Sequence, residues 1–174
     1  MFFLQMSGFS GSGKSTLARV IAKNTGALVI DHDIVKTALL ESVEFDSDEK
    51  SIGKIAYHIE WSLIEFHLAN DKEVILDSPC LYSEMIEKGL DLSEKYEARY
   101  KYVECMLNDF EEINRRLTKR QRKLSQIEHV ESEVKLRKGI AKSKKPDALQ
   151  YISVNTSNPL KHYIDKVMDY IKAI

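Results

Sequence analysis

Residues 8–16 read Gly8-Phe9-Ser10-Gly11-Ser12-Gly13-Lys14-Ser15-Thr16 and match the pattern G-x-x-x-x-G-K-[ST]. An apolar run, Met1-Phe2-Phe3-Leu4, precedes this loop, and apolar residues at helical spacing follow it. Backbone N–H groups of such a loop point inward, and the N-terminus of the following helix adds partial positive charge. The pattern therefore predicts a polyphosphate-binding loop in which Lys14 reaches the β and γ oxygens and Ser15 ligates Mg²⁺.

Two other interpretations of this loop fit less well. An ordinary Gly-rich turn explains the glycines but not the lysine and hydroxyl that follow them. A dinucleotide-binding loop needs a third glycine, whereas Thr16 stands three residues after Gly13. The nucleotide-binding residues expected in the loop are Gly8, Ser10, Gly11, Ser12, Gly13, Lys14, Ser15 and Thr16.

Length and charge limit the class of protein. A chain of 174 residues is long enough for one sizeable core, and we expect a single domain over residues 1–174. Its formal net charge of −1 argues against a protein that binds polyanions over its whole surface. Cys80 and Cys105 lack metal-ligand spacing and are expected to be free and reduced. Since no apolar run suits a signal peptide or a membrane span, we expect a cytoplasmic protein without membrane contact.

Acidic residues follow two further apolar runs. Asp31 and Asp33 come after Ala27-Leu28-Val29-Ile30, and Asp77 follows Val74-Ile75-Leu76. Ligands of open α/β sheets gather at the carboxyl ends of the strands, so these carboxylates are expected beside the phosphate loop. Asp77 is typical of a Walker B acid that holds Mg²⁺, with a cap of the next turn as the alternative. Asp33 could instead serve as the N-cap of the helix predicted after it.

Helical patterns account for much of the remaining chain. Residues 41–50 lack periodicity and predict a surface loop, and a helix over residues 85–98 is expected to break near Gly89. One long helix separates these two segments. Its predicted core face carries Ile52, Ile55, Ile59, Leu63 and Phe66.

A basic region follows the fourth predicted strand. Arg116, Arg120 and Lys123 have the spacing of one stripe on a helix, and a second helix is expected over about residues 128–138. We therefore predict that residues 118–145 form a basic helical lid that closes over the nucleotide and excludes water. The alternative is a charged helix face that is merely solvated.

The order of these motifs resembles the small, AAA-type P-loop kinases. Among them it is most similar to the group of polynucleotide 5′-kinases, zeta-toxin-like kinases and chloramphenicol phosphotransferases. The motifs that carry the resemblance are the phosphate loop, Asp33-Ile34-Val35-Lys36, Val74-Ile75-Leu76-Asp77 and Arg116-Leu117-Thr118-Lys119-Arg120.

The resemblance implies a three-layer α/β fold. A five-stranded parallel sheet of order 2-3-1-4-5 would carry helices on both faces, with the lid between the fourth and fifth strands. Asp33 would take the proton from the acceptor hydroxyl, and Lys36 would lie on the substrate side, where related kinases often have arginine. Arg120 would lie over the phosphates or the adenine, and Thr156 would belong to the lining of the adenine pocket. Lysine at position 36 lacks the bidentate geometry with which arginine clamps a phosphate.

Together these residues predict transfer of the γ-phosphoryl group of ATP to a hydroxyl. Lys14, Arg116 and Arg120 would stabilise charge on the transferring group, while Ser15 and Asp77 would hold Mg²⁺. A small molecule or nucleotide-like metabolite is the first choice of acceptor, because the only large basic surface lies in the predicted lid. The alternatives are a polynucleotide 5′-hydroxyl and a nucleotide-hydrolysing switch without a phosphoryl acceptor.

Overall fold

The computed structural model describes residues 1–42, 48–147 and 149–173. Within them five strands form one parallel sheet in the order β2-β3-β1-β4-β5, which confirms the predicted fold class. The strands are β1 (Phe2–Ser7), β2 (Leu28–Asp31), β3 (Val74–Asp77), β4 (Arg99–Met106) and β5 (Ile152–Asn155).

Helices lie on both faces of the sheet, and a short 3₁₀ turn, Leu160–His162, precedes the last of them. The helices are α1 (Lys14–Thr25), α2 (His32–Ser42), α3 (Glu49–Leu68), α4 (Ser83–Lys95), α5 (Phe110–Lys119), α6 (Glu133–Ala141) and α7 (Ile164–Lys172). In this part of the chain, none of them combines the length and the apolar character needed to cross a membrane.

The central strand β1 separates two hydrophobic cores. Phe2, Leu4 and Met6 pack on one face with side chains from α1 and α7. Phe3 faces the other way and packs with side chains from α3 and α4. This alternation follows from the two-residue period of a strand, so both faces of β1 are covered.

The buried face of α3 differs from the predicted one. Of the predicted core residues only Ile52 is buried, whereas Ile55, Ile59, Leu63 and Phe66 are exposed. The side chains that α3 buries are Ile52, Ala56, Glu60, Trp61, Ile64 and Leu68. The prediction is wrong because the strongly apolar residues were grouped together, while the buried face includes an alanine and a glutamate.

Other helix predictions also need correction. The helix expected to break near Gly89 is continuous there, because Gly89 packs against Phe3 and Tyr100, where a Cβ would come within 2.6 Å of the tyrosine ring. The helix expected over residues 128–138 is α6, which begins at Glu133 and contains Gly139. Residues 41 and 42, the first two of the predicted surface loop over residues 41–50, are instead the last two residues of α2. Residues 43–47 of this loop lie outside the described residues.

Residues 143–145, which we call the strap, cross the carboxyl edge of the sheet. The Ser143 and Ser7 hydroxyls lie 2.7 Å apart, and the Lys144 N–H donates to the Cys80 carbonyl at 2.8 Å. The Tyr102 hydroxyl donates to the Lys144 carbonyl. Lys145 pairs with Glu104 at 2.9 Å. The strap therefore joins the chain after α6 to the edge at which the candidate site lies.

Candidate active site

The phosphate loop joins the end of β1 to the start of α1. Gly8 has φ of 132°, and a Cβ there would lie 2.4 Å from the Cys105 carbonyl oxygen, so the loop requires glycine at this position. Gly13 has φ of 90° and is the N-cap of α1, with no side chain to accept from the first turn. The N–H groups of that turn, where the described chain has no acidic residue, are therefore suited to an anion.

Lys14 lies inside the loop and is 9% exposed. Its Nζ donates to the carbonyl oxygens of Gly8 at 2.9 Å and Phe9 at 3.1 Å. These contacts place the ammonium group among the backbone groups of the loop, where phosphate oxygens can replace the carbonyls as its partners.

Thr156 and Arg116 connect the loop to the far side of the sheet. The Thr156 hydroxyl donates to the Ser12 carbonyl at 2.7 Å, and Arg116 donates from Nη2 to the Thr156 carbonyl at 2.8 Å. Arg116 also donates from Nε to Glu112 at 2.6 Å. Hydrogen bonds from Arg115 and Arg116 hold the pKa of Glu112 at about 2, so this carboxylate fixes the direction of the Arg116 guanidinium. In contrast to the predicted stripe, α5 ends before Arg120 and Lys123, so these two residues do not share a helix with Arg116.

Asp77 is a buried carboxylate of the site, with 4% of its surface exposed. Burial raises the pKa of Asp77, while the charge of Lys14 and the hydroxyl of Ser15 oppose the rise. Within the described residues no cluster of three or more histidine, cysteine and acidic side chains could hold a metal. One carboxylate and one hydroxyl fit Mg²⁺ in a nucleotide site, because phosphates and water supply its other oxygen ligands.

Asp31, and not Asp33, caps α2. Its Oδ1 accepts from the N–H groups of Asp33 at 2.9 Å and Ile34 at 3.3 Å. Its Oδ2 pairs with Lys123 at 3.0 Å. The alternative interpretation of Asp33 as the N-cap is therefore wrong, and the Asp33 side chain is left for other contacts.

Asp33 faces the segment between α5 and α6. It accepts from Gln126 Nε2 at 2.7 Å and from the Ser125 hydroxyl at 3.2 Å. Arg120 lies nearby and donates to the Ile127 carbonyl at 2.7 Å. Burial lowers the pKa of Arg120, and the charge of Asp33 opposes this effect.

One cavity of about 830 Å³ contains most of these groups. Every site residue predicted from the sequence lines it except Gly8, Ser12 and Lys36. Gly8 and Ser12 belong to the phosphate loop but do not line the cavity. The half-buried Lys36 is on α2 and does not line it either. Asp33 and Lys14 thus share a cavity, as the order of the strands predicts.

The sequence reasoning missed several residues of this cavity. His32 lines it, and its Nδ1 lies 2.7 Å from Oε1 of the fully buried Glu60. A histidine between two aspartates at a strand end was the available signal, but the misassigned face of α3 hid its partner. Lys123 and Gln126 were missed as partners of the aspartates because no local pattern fixes the path of a loop.

A glycine-rich loop after a central parallel strand, with carboxylates on the adjacent strand ends, defines a nucleotide-binding fold of the P-loop kinase type. The sequence comparison agrees, because residues 4–143 match the AAA domain family and the chain belongs to that family. The predicted resemblance to small P-loop kinases is confirmed. No curated protein matches the chain in sequence.

Solved structures share the fold over nearly the whole chain. A protein from Chloroflexus aurantiacus for which kinase activity is inferred has a TM-score of 0.76 at 13% identity, over 98% of each chain. A gluconokinase from Sinorhizobium meliloti has a TM-score of 0.64 at 16% identity, over 98% of this chain and 91% of its own. The Mycobacterium tuberculosis APS kinase in complex with AMPPNP and APS has a TM-score of 0.66 at 16% identity, over 99% of this chain and 98% of its own. Identities this low establish the common fold alone.

Proposed function

We propose that the protein is an ATP-dependent kinase that transfers the γ-phosphoryl group to a hydroxyl of a small molecule or nucleotide-like metabolite. The observation that carries this proposal is the shared cavity of Asp33, Lys14 and Asp77 at one edge of the sheet. A base for the acceptor and a cradle for the phosphates must lie within reach of each other for in-line transfer.

Each group has a role in this reaction. Asp33 accepts the proton of the attacking hydroxyl, which replaces Gln126 or Ser125 as its partner. Lys14, Arg116 and Arg120 stabilise the charge on the equatorial oxygens of the transferring group. Ser15 and Asp77 would hold Mg²⁺, which would supply positive charge to neutralise the phosphates.

Residues 118–145 act as a lid within a single domain in this proposal. Lys119, Arg120, Lys123 and Gln126 from this segment line the cavity, so its closure would bring positive charge to the nucleotide and exclude water. Lys36 remains a candidate on the substrate side that would need a rearrangement of α2 to reach the acceptor.

The pairing of surface charges favours a small acceptor over a polynucleotide. On and before α6, Lys135 pairs with Glu131, and Arg137 pairs with Glu133. A surface that tracks a phosphate backbone needs unpaired cations, whereas these two have carboxylate partners four residues away.

We also place the protein in the cytoplasm. Cys80 and Cys105 are free and buried, and burial raises the pKa of each thiol to about 12. Thiols in this state suit a reducing compartment and have no catalytic role in the proposal.

A transfer assay with γ-labelled ATP tests the proposed function. Small alcohols, nucleosides, sugar acids and a 5′-hydroxyl oligonucleotide are supplied separately, and labelled product and ADP are both measured. We expect label on a small acceptor, with a KM that changes little between 50 and 200 mM KCl. A steep loss of affinity with salt on the oligonucleotide would favour the polynucleotide alternative. ADP release that no acceptor accelerates would favour the hydrolytic switch.

A further inference from the structure

His32 and Glu60 form a pair at the wall of the cavity. Glu60 is 0% exposed on α3, and its Oε1 lies 2.7 Å from His32 Nδ1. The other carboxylate oxygen, Oε2, has no hydrogen-bond partner among the described residues. A buried carboxyl group with one free oxygen is costly as an isolated charge, so the pair favours arrangements that carry no net charge.

Two uncharged arrangements of the pair place a proton on His32 Nε2; the third, with Glu60 protonated on Oε2 and Nδ1 donating to Oε1, would leave a buried O–H without an acceptor among the described residues. If Glu60 is ionised, the imidazole is protonated at both nitrogens. If Glu60 is protonated, it donates to Nδ1, and the neutral imidazole then carries its proton on Nε2. The pair therefore supplies an N–H donor on the edge of the ring opposite Glu60.

The ring of His32 is held in place from a second direction. It stacks on Tyr57 with centroids 4.3 Å apart and planes 19° from parallel. The Tyr57 hydroxyl lies 3.1 Å from the Ser78 hydroxyl, next to the end of β3. A side chain that is 11% exposed and lines the cavity beside Asp33 thus presents its donor in a fixed direction.

The charge of the cavity indicates what this donor meets. Among the described residues, seven basic side chains and two carboxylates line it. Glu112 and Asp31 pair with cations from this set. The two carboxylates that line the cavity and the two that pair with its cations balance four of the seven positive charges, so a formal excess of three remains. Mg²⁺-bound ATP carries roughly two negative charges, one fewer than this excess. The remaining excess favours a second substrate that is itself anionic.

We propose that His32 Nε2 donates a hydrogen bond to an anionic oxygen, of a carboxylate or a phosphate ester, on the hydroxyl-bearing acceptor, and that Glu60 is the positioning residue that holds the imidazole for this contact. This inference rests on the proposed function, because it assigns the second substrate of that site. In this proposal, the side of the cavity that α2 and α3 form recognises the acceptor.

Histidine NMR on the full chain tests the contact directly. The protein has five histidines, and ¹³C labelling of their rings gives one signal each. Comparison with His32→Gln assigns the signal of His32. D-gluconate, glycerol 3-phosphate and uncharged glycerol are titrated with and without AMPPNP and Mg²⁺. We expect the His32 signal to shift saturably with at least one anionic probe, which binds about tenfold or more tightly than glycerol does.

Variants separate recognition from folding. His32→Leu removes the donor and should weaken binding of the anionic probe about 10- to 100-fold in calorimetry, because a hydrogen bond to a charged group is lost. His32→Gln keeps an amide donor near the Nε2 position and should retain part of the affinity. Glu60→Gln should weaken binding of the same anionic probe and leave the affinity for AMPPNP unchanged. His58→Leu and Glu65→Gln, both on α3 away from the cavity lining, are the matched controls.

Three results would overturn the assignment. They are a His32 signal that no anionic probe moves, a signal that glycerol moves equally, and unchanged affinity of the anionic probe for a folded His32→Leu variant. AMPPNP binding is measured in the same samples, so its absence would count against the kinase proposal. Binding of AMPPNP without a response of His32 would count against the present inference alone.

Discussion

Individual side chains of the site are held by contacts that a substrate can exchange. Lys14 donates to two carbonyl oxygens of its own loop, and Asp33 accepts from a serine and a glutamine of the predicted lid. Such neutral partners satisfy the hydrogen-bonding capacity of a charged group, but they hold it less tightly than an ion pair would. The charged groups of Lys14 and Asp33 therefore have hydrogen-bond partners within the protein itself.

Replacement of Lys14 tests the phosphate loop. Lys14→Ala should weaken binding of Mg²⁺-AMPPNP about 10- to 100-fold, because a charge-assisted hydrogen bond to phosphate is lost. Isothermal titration calorimetry measures the change. Lys23→Ala, in the last turn of the same helix, should bind as the wild type does. Equal affinities of the two variants would exclude the assigned role of Lys14.

Replacement of Asp33 separates binding from chemistry. Asp33→Asn should bind Mg²⁺-ATP normally and lose about 10²- to 10⁴-fold in the rate of transfer, since the amide cannot accept the proton of the hydroxyl. Single-turnover assays with labelled ATP measure the rate. The exposed Asp91 on α4 offers the control Asp91→Asn. Normal turnover by Asp33→Asn would show that Asp33 is not the base and that its role is structural, through its contacts with Ser125 and Gln126.

At the level of secondary structure, the sequence predicts the strands better than the helix faces. The central strands β1 and β3 are short, mainly apolar runs that are buried along their whole length, so their positions follow from composition. The buried face of α3 depends on which side chains the sheet and α2 present to it. Glu60 is buried with one of its oxygens paired to His32, and no apolar pattern could reveal that pairing.

Two glycines in helices should respond in opposite directions to alanine. Gly89→Ala in α4 should destabilise the protein by about 1–3 kcal/mol, because its Cβ would overlap the Tyr100 ring. Gly53→Ala in α3 meets no described atom within 4 Å and should stabilise it by about 0.5–1 kcal/mol. Urea unfolding measures both variants. A Gly89→Ala variant as stable as the wild type would show that α4 is displaced from Phe3 and Tyr100.

The pairing at the start of α5 predicts a pH dependence. The arginines lower the pKa of Glu112 from 4.5 to about 2, so the pairing contributes stability that is complete above about pH 4.5 and is lost as the pH falls towards 2. The Tm difference between the wild type and Glu112→Gln should be constant from pH 7 to 5 and should shrink below that range. Glu111→Gln, on the same turn, serves as the control. A difference that stays constant down to pH 3 would contradict the pairing.

For the whole molecule, the phosphate loop and the strand order were sufficient to predict which groups meet at the sheet edge. Asp31 and Asp77 are opposite each other at the ends of β2 and β3, a result that follows from parallel register. Contacts across the cavity were not predictable, because Lys123 and Gln126 reach the aspartates from about ninety residues away in the sequence. Loops of this kind are positioned by tertiary packing.

Limited proteolysis tests whether nucleotide binding involves residues 118–145. Lys119, Arg120 and Lys123 line the cavity, so AMPPNP with Mg²⁺ should slow tryptic cleavage after them about tenfold or more at saturation. Mass spectrometry of the fragments over time gives each rate. Cleavage after the exposed Lys72, between α3 and β3, should be unaffected. Equal slowing at every site would indicate a general stabilisation of the fold.

The strap also determines how the length of this protein can change. Because residues 143–145 are bound to Ser7 at the end of β1, to Tyr102 and Glu104 on β4, and to Cys80, the chain returns to a fixed point on the sheet after α6. Insertions or deletions over residues 121–129 would then change the length of the predicted lid while the carboxyl edge of the sheet stays in place. If the lid covers an acceptor as proposed, such changes would alter the size of acceptor that the cavity admits without altering the sheet.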